Sequence, residues 1–469
     1  MQGNDKPDAA KRLGIEPIGR LLLRFSIPAI TGMLVNALYN IVDRIYVGRL
    51  INEIALGGLS LVGPLMTISF AFSMLFGIGA ANMISMRLGE GRKEEAENAL
   101  SHCLVLLFSI GITFMVLGLI FLEPLLSILG AQEGSEALNY ARSYMRVILY
   151  GTPFMMCGFG MAHCTRAQGF PGITMITMLI GSILNIILDP IFIIAFRMGV
   201  EGAAWATVIS QIVSAAWITI FILRGKGVLK LRLGSFKPSF KITGQIMAFG
   251  SAQFLLNFIM SGVQLLINAS LGWYGAESLG VENGGDIALA AMNILGTLHM
   301  LILMPVIGIN QGAQPILGYN YGAKQFNRVM RTYILAVAWA TIICITGFAV
   351  CQLFPHTLVR LFTPDGSPIL LEFGVWAMRV FLIFLPLNGF QIVSSNFFVV
   401  TGRPKMSIFL TLLRQMLAFI PCLLIFGRLW GLYGIAYAAP VADAFSFLLT
   451  GLLIFFELKK LVKMKNEES

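Results

Sequence analysis

The segment RGKGVLKLRLGSFKPSFK, from Arg224 to Lys241, decides how the rest of the chain divides. Six of its eighteen residues are Lys or Arg, and long apolar runs flank it on both sides. Basic clusters between apolar runs stay on the cytoplasmic face of a membrane. The segment therefore reads as a cytoplasmic link between two membrane-embedded halves. Working outward, each half holds six apolar runs that exceed the roughly 20 residues a bilayer needs. The first six, α1 to α6, are expected over 21–48, 54–86, 98–122, 140–163, 172–196 and 201–223. The second six, α7 to α12, are expected over 244–272, 287–318, 330–354, 370–400, 406–427 and 432–457.

Composition excludes the soluble alternatives. Charged residues make up only 12% of the 469, against about a quarter in an ordinary soluble domain. The mean hydropathy of +0.81 leaves too little polar surface to face water on all sides. The stretch from Met1 to Glu16 is polar, with Lys6, Lys11 and Arg12, and lacks a small-residue cleavage site, so α1 is expected to be retained. A net charge of +10 might suggest nucleic acid, but the basic residues sit in short loops between apolar runs. The six cysteines all fall inside apolar runs without CxxC or Cys/His ligand spacing, which points to packing rather than metal or redox work. The sequence G-x-x-x-x-G-K-[ST] is absent, so transport energy is expected from an ion gradient and not from ATP.

Basic-residue placement sets the orientation. With the N-terminus in the cytoplasm, 24 Lys and Arg fall inside and 8 outside, with Arg414 alone in the middle of α11. That asymmetry places both termini in the cytoplasm of a multi-pass protein of the cell membrane.

The halves also repeat. Gly19 to Gly48 lies against Gly244 to Trp273 at an offset of 225. After a longer loop the offset becomes about 233, where Gly79-Ala80 meets Gly312-Ala313 and Gly89 meets Gly322. GFPG at Gly169 meets GRPK at Gly402, and GVEGAAWAT at Gly199 meets GLYGIAYAA at Gly431. Because six is even, both halves enter from the same side and the repeats are parallel. The expected architecture is an all-α membrane protein of about twelve transmembrane helices in two parallel six-helix repeats. Residues 1–225 form the N-terminal half with the ion-coupling site, 226–243 the basic link and 244–469 the C-terminal half.

Three acids lie within apolar runs: Asp43, Asp189 and Asp443. An ionisable group in a membrane is costly and marks a functional site by default. Asn36 and Asn40 share a face of α1 with Asp43, and Asn185 shares a face of α5 with Asp189. Asp43 is six residues before Arg49, Asp189 eight before Arg197, and Thr207 six after Glu201, so all three lie in one layer; Gln211 is a turn deeper. That oxygen-rich set suits a proton relay or a Na⁺ ion at Asp43, Asn185, Asp189 and Thr207. The alternative for Asp43 is a structural ion pair with Arg44 at the helix end. In the second half Asn268 stands where Asp43 stands in the first, and Pro421 where Asp189 stands, so coupling is expected in the first half alone. Asp443 reads equally as cavity lining or as a structural hydrogen-bonding group. Pro28 in α1 interrupts the helical ladder and is a candidate hinge.

At these residues the chain resembles the multidrug and toxic compound extrusion (MATE) family, and within it the DinF-like branch. The likeness covers nearly the whole length: Pro28 and Asp43 in α1, NIILDP from Asn185 to Pro190, GVEGAAWAT at Gly199, and RxGxGR from Arg87 to Arg92. The resemblance implies H⁺- or Na⁺-coupled export of drugs and other small, often cationic organic compounds by a monomer, with coupling through Asp43, Asn185, Asp189 and Thr207. The other main branch carries extra acids in α7 and α10; here Met260 stands near the first of those places and no acid occurs from Trp376 to Val400. Met260, Asn268 and Asp443 are left as expected cavity-lining residues. Two other classes share some of these features. A lipid-linked sugar flippase of the same superfamily is expected to have a more cationic cavity, and a polytopic membrane enzyme needs a catalytic cluster that is not visible.

Overall fold

The computed structural model describes residues 9–51, 53–129, 135–225, 227–231, 239–281, 283–363 and 367–468. Among them every regular element is a helix, as a bilayer requires of a chain that must satisfy its backbone internally. In the first half α1 spans Ile18–Leu50, α2 Glu53–Gly89, α3 Lys93–Ile120, α4 Glu136–Ala167, α5 Pro171–Pro190 and α6 Gly199–Leu223. In the second half α7 spans Phe240–Ser278, α8 Gly284–Gly322 and α9 Phe326–Leu353. Helix α10 is broken into Pro368–Phe381 and Leu385–Val400, which meet at 48°. Helix α11 begins as Pro404–Leu412 and passes through a π-helical stretch, Leu413–Phe419. It then shares the helix Ile420–Glu468 with α12, the two separated by the non-helical Gly431. Ten helices are individually long and apolar enough to cross a membrane; the bent α10 pair and the break at Gly431 bring the spans to the expected twelve.

The repeat is written into the backbone. Gly199 and Gly431, 232 residues apart, open the sixth helix of each half with φ of 57° and 56°, a left-handed conformation that only glycine adopts without strain. Ser135 caps the fourth helix of the first half by accepting from Leu138 N at 3.2 Å, and Ser367, again 232 residues on, accepts from Leu370 N at 3.2 Å.

Two compact units emerge. The first is Met1–Asn257 with Gln314–Gln325, and the second is Phe258–Ala313 with Phe326–Ser469. The first unit thus takes in the beginning of α7 and the end of α8. Glycines make this packing: a Cβ on Gly79 would run into the Ile246 carbonyl, on Gly250 into Leu75, on Gly89 into Tyr319, and on Gly322 into Met86. Gln314 adds a buried hydrogen bond from its Nε2 to Asn82 Oδ1 at 2.6 Å. The described part of the link is also docked here, with Leu229 fully buried and its N–H given to Gln168 Oε1 at 3.1 Å. Helix α4 runs through the middle of this unit. It buries 83% of its apolar window, so its polar side chains meet protein rather than lipid.

Candidate functional site

Helix α5 ends in Leu188-Asp189-Pro190. Pro190 has no N–H to give to the preceding turn, and the chain widens into a π turn over Ile191–Ala195. Such turns recur at functional sites. Here the turn follows Asp189, which is 0% exposed. One turn earlier, Asn185 donates its Nδ2 to Asp189 Oδ1 at 3.3 Å and to Thr207 Oγ1 of α6 at 3.2 Å. Asp43 of α1 lies within side-chain hydrogen-bonding reach of Asp189. Helix α4 adds Tyr144, buried at 5% exposure, whose hydroxyl hydrogen-bonds with the Thr207 side chain and neighbours Asp43, Tyr39 and Asp189. Four helices of the first unit therefore converge on one carboxylate pair.

Two carboxyl groups this close cannot both stay ionised unless a cation lies with them. The remaining oxygens point the same way. Asn185 Oδ1, Asp189 Oδ2 and Gln211 Oε1 are buried and accept no hydrogen bond among the described residues. Buried acceptors without donors are destabilising, and a set of oxygen acceptors is what a proton or a hard cation satisfies.

The cluster opens onto a cavity inside the same unit. Asn185, Thr207 and Gln211 belong to both; Asn36, Tyr39 and Met155 extend the lining toward α1 and α4. Further along, Phe154, Phe159 and Met178 make the walls apolar, and Ser182, Ser210 and Ser214 interrupt them with hydroxyls. Glycine shapes the space, since a Cβ on Gly151 would sit 2.6 Å from Gln211 Oε1. An apolar pocket with a few convergent polar groups is the usual form of a small-molecule site.

Of the residues singled out in the sequence, Asp43, Asn185, Asp189 and Thr207 come together, with Gln211 and Asn36 on the adjoining cavity. The side chains of Asn40 and Arg44 lie outside the described residues. Pro28 sits inside α1, which continues through it. In the second unit Met260 is exposed on α7, and Asn268, also exposed, accepts from Gln264 Nε2 at 2.9 Å. Asp443 is engaged by Arg414, whose Nε donates to its Oδ1 at 2.8 Å. Sequence reasoning missed Tyr39 and Tyr144. Tyr39 carried a usable signal, lying one turn from Asp43 on the same face; Tyr144 carried none.

Known proteins share this arrangement. The MatE family model matches residues 28–191 and 253–424, two stretches offset by 225 residues at their starts and 233 at their ends, the offsets that relate the halves. The multidrug export protein MepA of Staphylococcus aureus (strain MRSA252) is 27% identical over 441 residues, which cover 94% of each chain. The fold matches, with a TM-score of 0.89 and 27% identity, a multidrug resistance MATE family transporter of the MOP superfamily in its outward-facing conformation, over 97% of this chain and 99% of that one. A MOP superfamily transporter from Pyrococcus furiosus is matched as closely, with a TM-score of 0.89, 26% identity and the same coverage.

Proposed function

The chain belongs to the MatE family, and from that premise we propose that it is a cation-coupled exporter of drugs and other small, often cationic organic compounds. It is a transporter and not an enzyme, in keeping with the multidrug export proteins it resembles. The observation that carries the coupling mechanism is the Asp43–Asp189 pair abutting the cavity. Three residues serve both places, so the charge on the pair is felt by whatever occupies the cavity. With a proton held between the two acids, the pair carries less negative charge and a cationic compound is held weakly. Once that proton leaves, the pair attracts a cation again. The two loaded states stabilise different packings of α1, α5 and α6, and only such differential stabilisation drives a conformational exchange. A proton is the favoured coupling ion because the two carboxyls lie within hydrogen-bonding reach of each other. The unpartnered oxygens of Asn185 and Asp189 favour a second reading, Na⁺ bound in the same place. Both termini are placed in the cytoplasm, on the basic-residue count.

Everted vesicles loaded with a fluorescent cationic dye test the proposal under imposed H⁺ and Na⁺ gradients in turn. Asp43→Asn and Asp189→Asn are each expected to abolish uphill dye transport at matched membrane abundance. Asn268→Ala, at the repeat-related place in α7, is expected to keep coupling. Transport that survives in both Asp variants and fails in the Asn268 variant would move the coupling site to the other half.

A further inference from the structure

The second unit holds a charged cluster that the coupling mechanism does not use. Arg414 gives its Nε to Asp443 Oδ1 at 2.8 Å and its Nη2 to Asn388 Oδ1 at 3.3 Å. Asn388 Nδ2 lies 3.2 Å from His299 Nε2, and Gln391 Nε2 donates to the Asp443 main-chain carbonyl at 2.7 Å. Asn388 and Gln391 are buried, at 1% and 5% exposure, whereas the Arg414 side chain keeps 23%. Gln391 Oε1 accepts nothing among the described residues. Arg414 lies ten residues after Pro404 and fourteen before Arg428, about 15 to 20 Å from either end of its span and so in mid-membrane. An arginine at that depth faces protein or a water-filled cavity rather than lipid. It also stands in the π-helical stretch of α11, an irregularity that tends to mark functional sites.

The repeat identifies the place. At an offset of 233, Asn388 corresponds to Met155 and Gln391 to Gly158; at 232, Arg414 corresponds to Ser182 and Asp443 to Gln211. All four first-half counterparts line the cavity described above. Where that cavity has a thioether, a glycine, a hydroxyl and an amide, the second half has a guanidinium and a carboxylate braced by two amides. A purely structural pair is a poor use of that position, because well-packed apolar residues often stabilise a buried site as well or better. Nor does it explain a reachable guanidinium beside an unused buried acceptor.

We propose that the Arg414–Asp443 cluster is a second substrate subsite, which takes zwitterionic organic compounds carrying a carboxylate. The substrate carboxylate accepts from the planar guanidinium, which is shaped for two parallel N–H bonds to one carboxylate. Its cationic end is received by Asp443, released from part of its pairing, and by Gln391 Oε1, so the exchange keeps every buried charge matched. This rests on the reading of the chain as an exporter.

The test uses one fluorophore in two charge states: tetramethylrhodamine, a zwitterion, and its methyl ester, a cation. Export of both is measured from cells with the full-length protein at matched membrane abundance. The wild type is expected to export both, and Arg414→Gln to lower the acid-to-ester export ratio about tenfold, the scale of losing a charged hydrogen-bonding partner. Arg414→Lys, which keeps the charge and loses the fork, should fall between. The double variant Arg414→Gln/Asp443→Asn leaves no unpaired charge behind and guards against misfolding; it should show the same ratio change. An unchanged ratio in the single and double variants, or proportional loss of both dyes, assigns the pair a structural role and overturns the proposal. A wild type that exports the ester and not the acid also overturns it. A wild type that exports neither dye counts instead against the exporter reading.

Discussion

Tyr144 shows how much of the site a single hydroxyl organises. Thr207 receives Asn185 Nδ2 from one side and hydrogen-bonds with the Tyr144 hydroxyl on the other, so the phenol ties α4 to the α5–α6 cluster. Tyr144→Phe keeps the buried ring and removes that tie. The net loss for a hydrogen bond of this kind is about 1 kcal/mol, which corresponds to a drop of about fivefold in initial dye-efflux rate. Tyr150→Phe is the comparison: its ring stacks on Trp205 with centroids 6.4 Å apart, and no tie to the acids is lost. Equal rates in the two variants would remove Tyr144 from the site. The acids were legible in the sequence because a carboxylate inside an apolar run has no comfortable alternative. Tyr144 was not, because tyrosine is ordinary in membrane helices, where it also anchors spans at the interface. Arg414 and Asp443 were each noticed, but their pairing was not, since it depends on how α11 and α12 turn about Gly431.

Helices α2, α7 and α8 meet through glycine rather than through interdigitating side chains, and symmetry makes the meeting reciprocal. Gly89 abuts the Tyr319 carbonyl while Gly322 abuts that of Met86, and both residue pairs are separated by 233. Close backbone approach of this kind replaces the hydrophobic drive that lipid removes from helix association. A methyl group on Gly250 or Gly322 would occupy a backbone carbonyl's space, so the helices must part. Gly250→Ala and Gly322→Ala are each expected to destabilise the purified protein by about 1 to 3 kcal/mol, read as a lowered unfolding temperature in detergent. Gly244→Ala has no neighbour within 4 Å and should be neutral or slightly stabilising, as alanine favours helix. If all three behave alike, the seam does not limit stability. The repeat offsets in the sequence had already aligned Gly79 with Gly312 and Gly89 with Gly322 as scaffold positions. What alignment lacked was the partner of each glycine, because a residue without a side chain leaves no pattern to read.

At the scale of the whole molecule, twelve spans and two repeats followed from hydropathy, basic-residue placement and offsets, all of which sum over many residues. The grouping into compact units did not follow, since it depends on where α7 and α8 divide their packing, and that is set by the local glycine contacts. Orientation rests on the 24-to-8 basic count alone and can be checked independently of transport. Lys241 is exposed at the start of α7, and Arg360 is exposed in the short helix Pro355–Phe362 between α9 and α10. The count places the first inside the cell and the second outside. Five of the six native cysteines are buried and only Cys422 is partly open, so a Cys422→Ser background is nearly silent to a bulky maleimide. On that background, Arg360→Cys is expected to label on intact cells with a membrane-impermeant reagent. Lys241→Cys should label only after permeabilisation. Labelling of Lys241→Cys on intact cells with protection of Arg360→Cys would turn the molecule over. It would also put the Asp43–Asp189 pair nearer the cytoplasm, so that the proton reached the cavity from the opposite side.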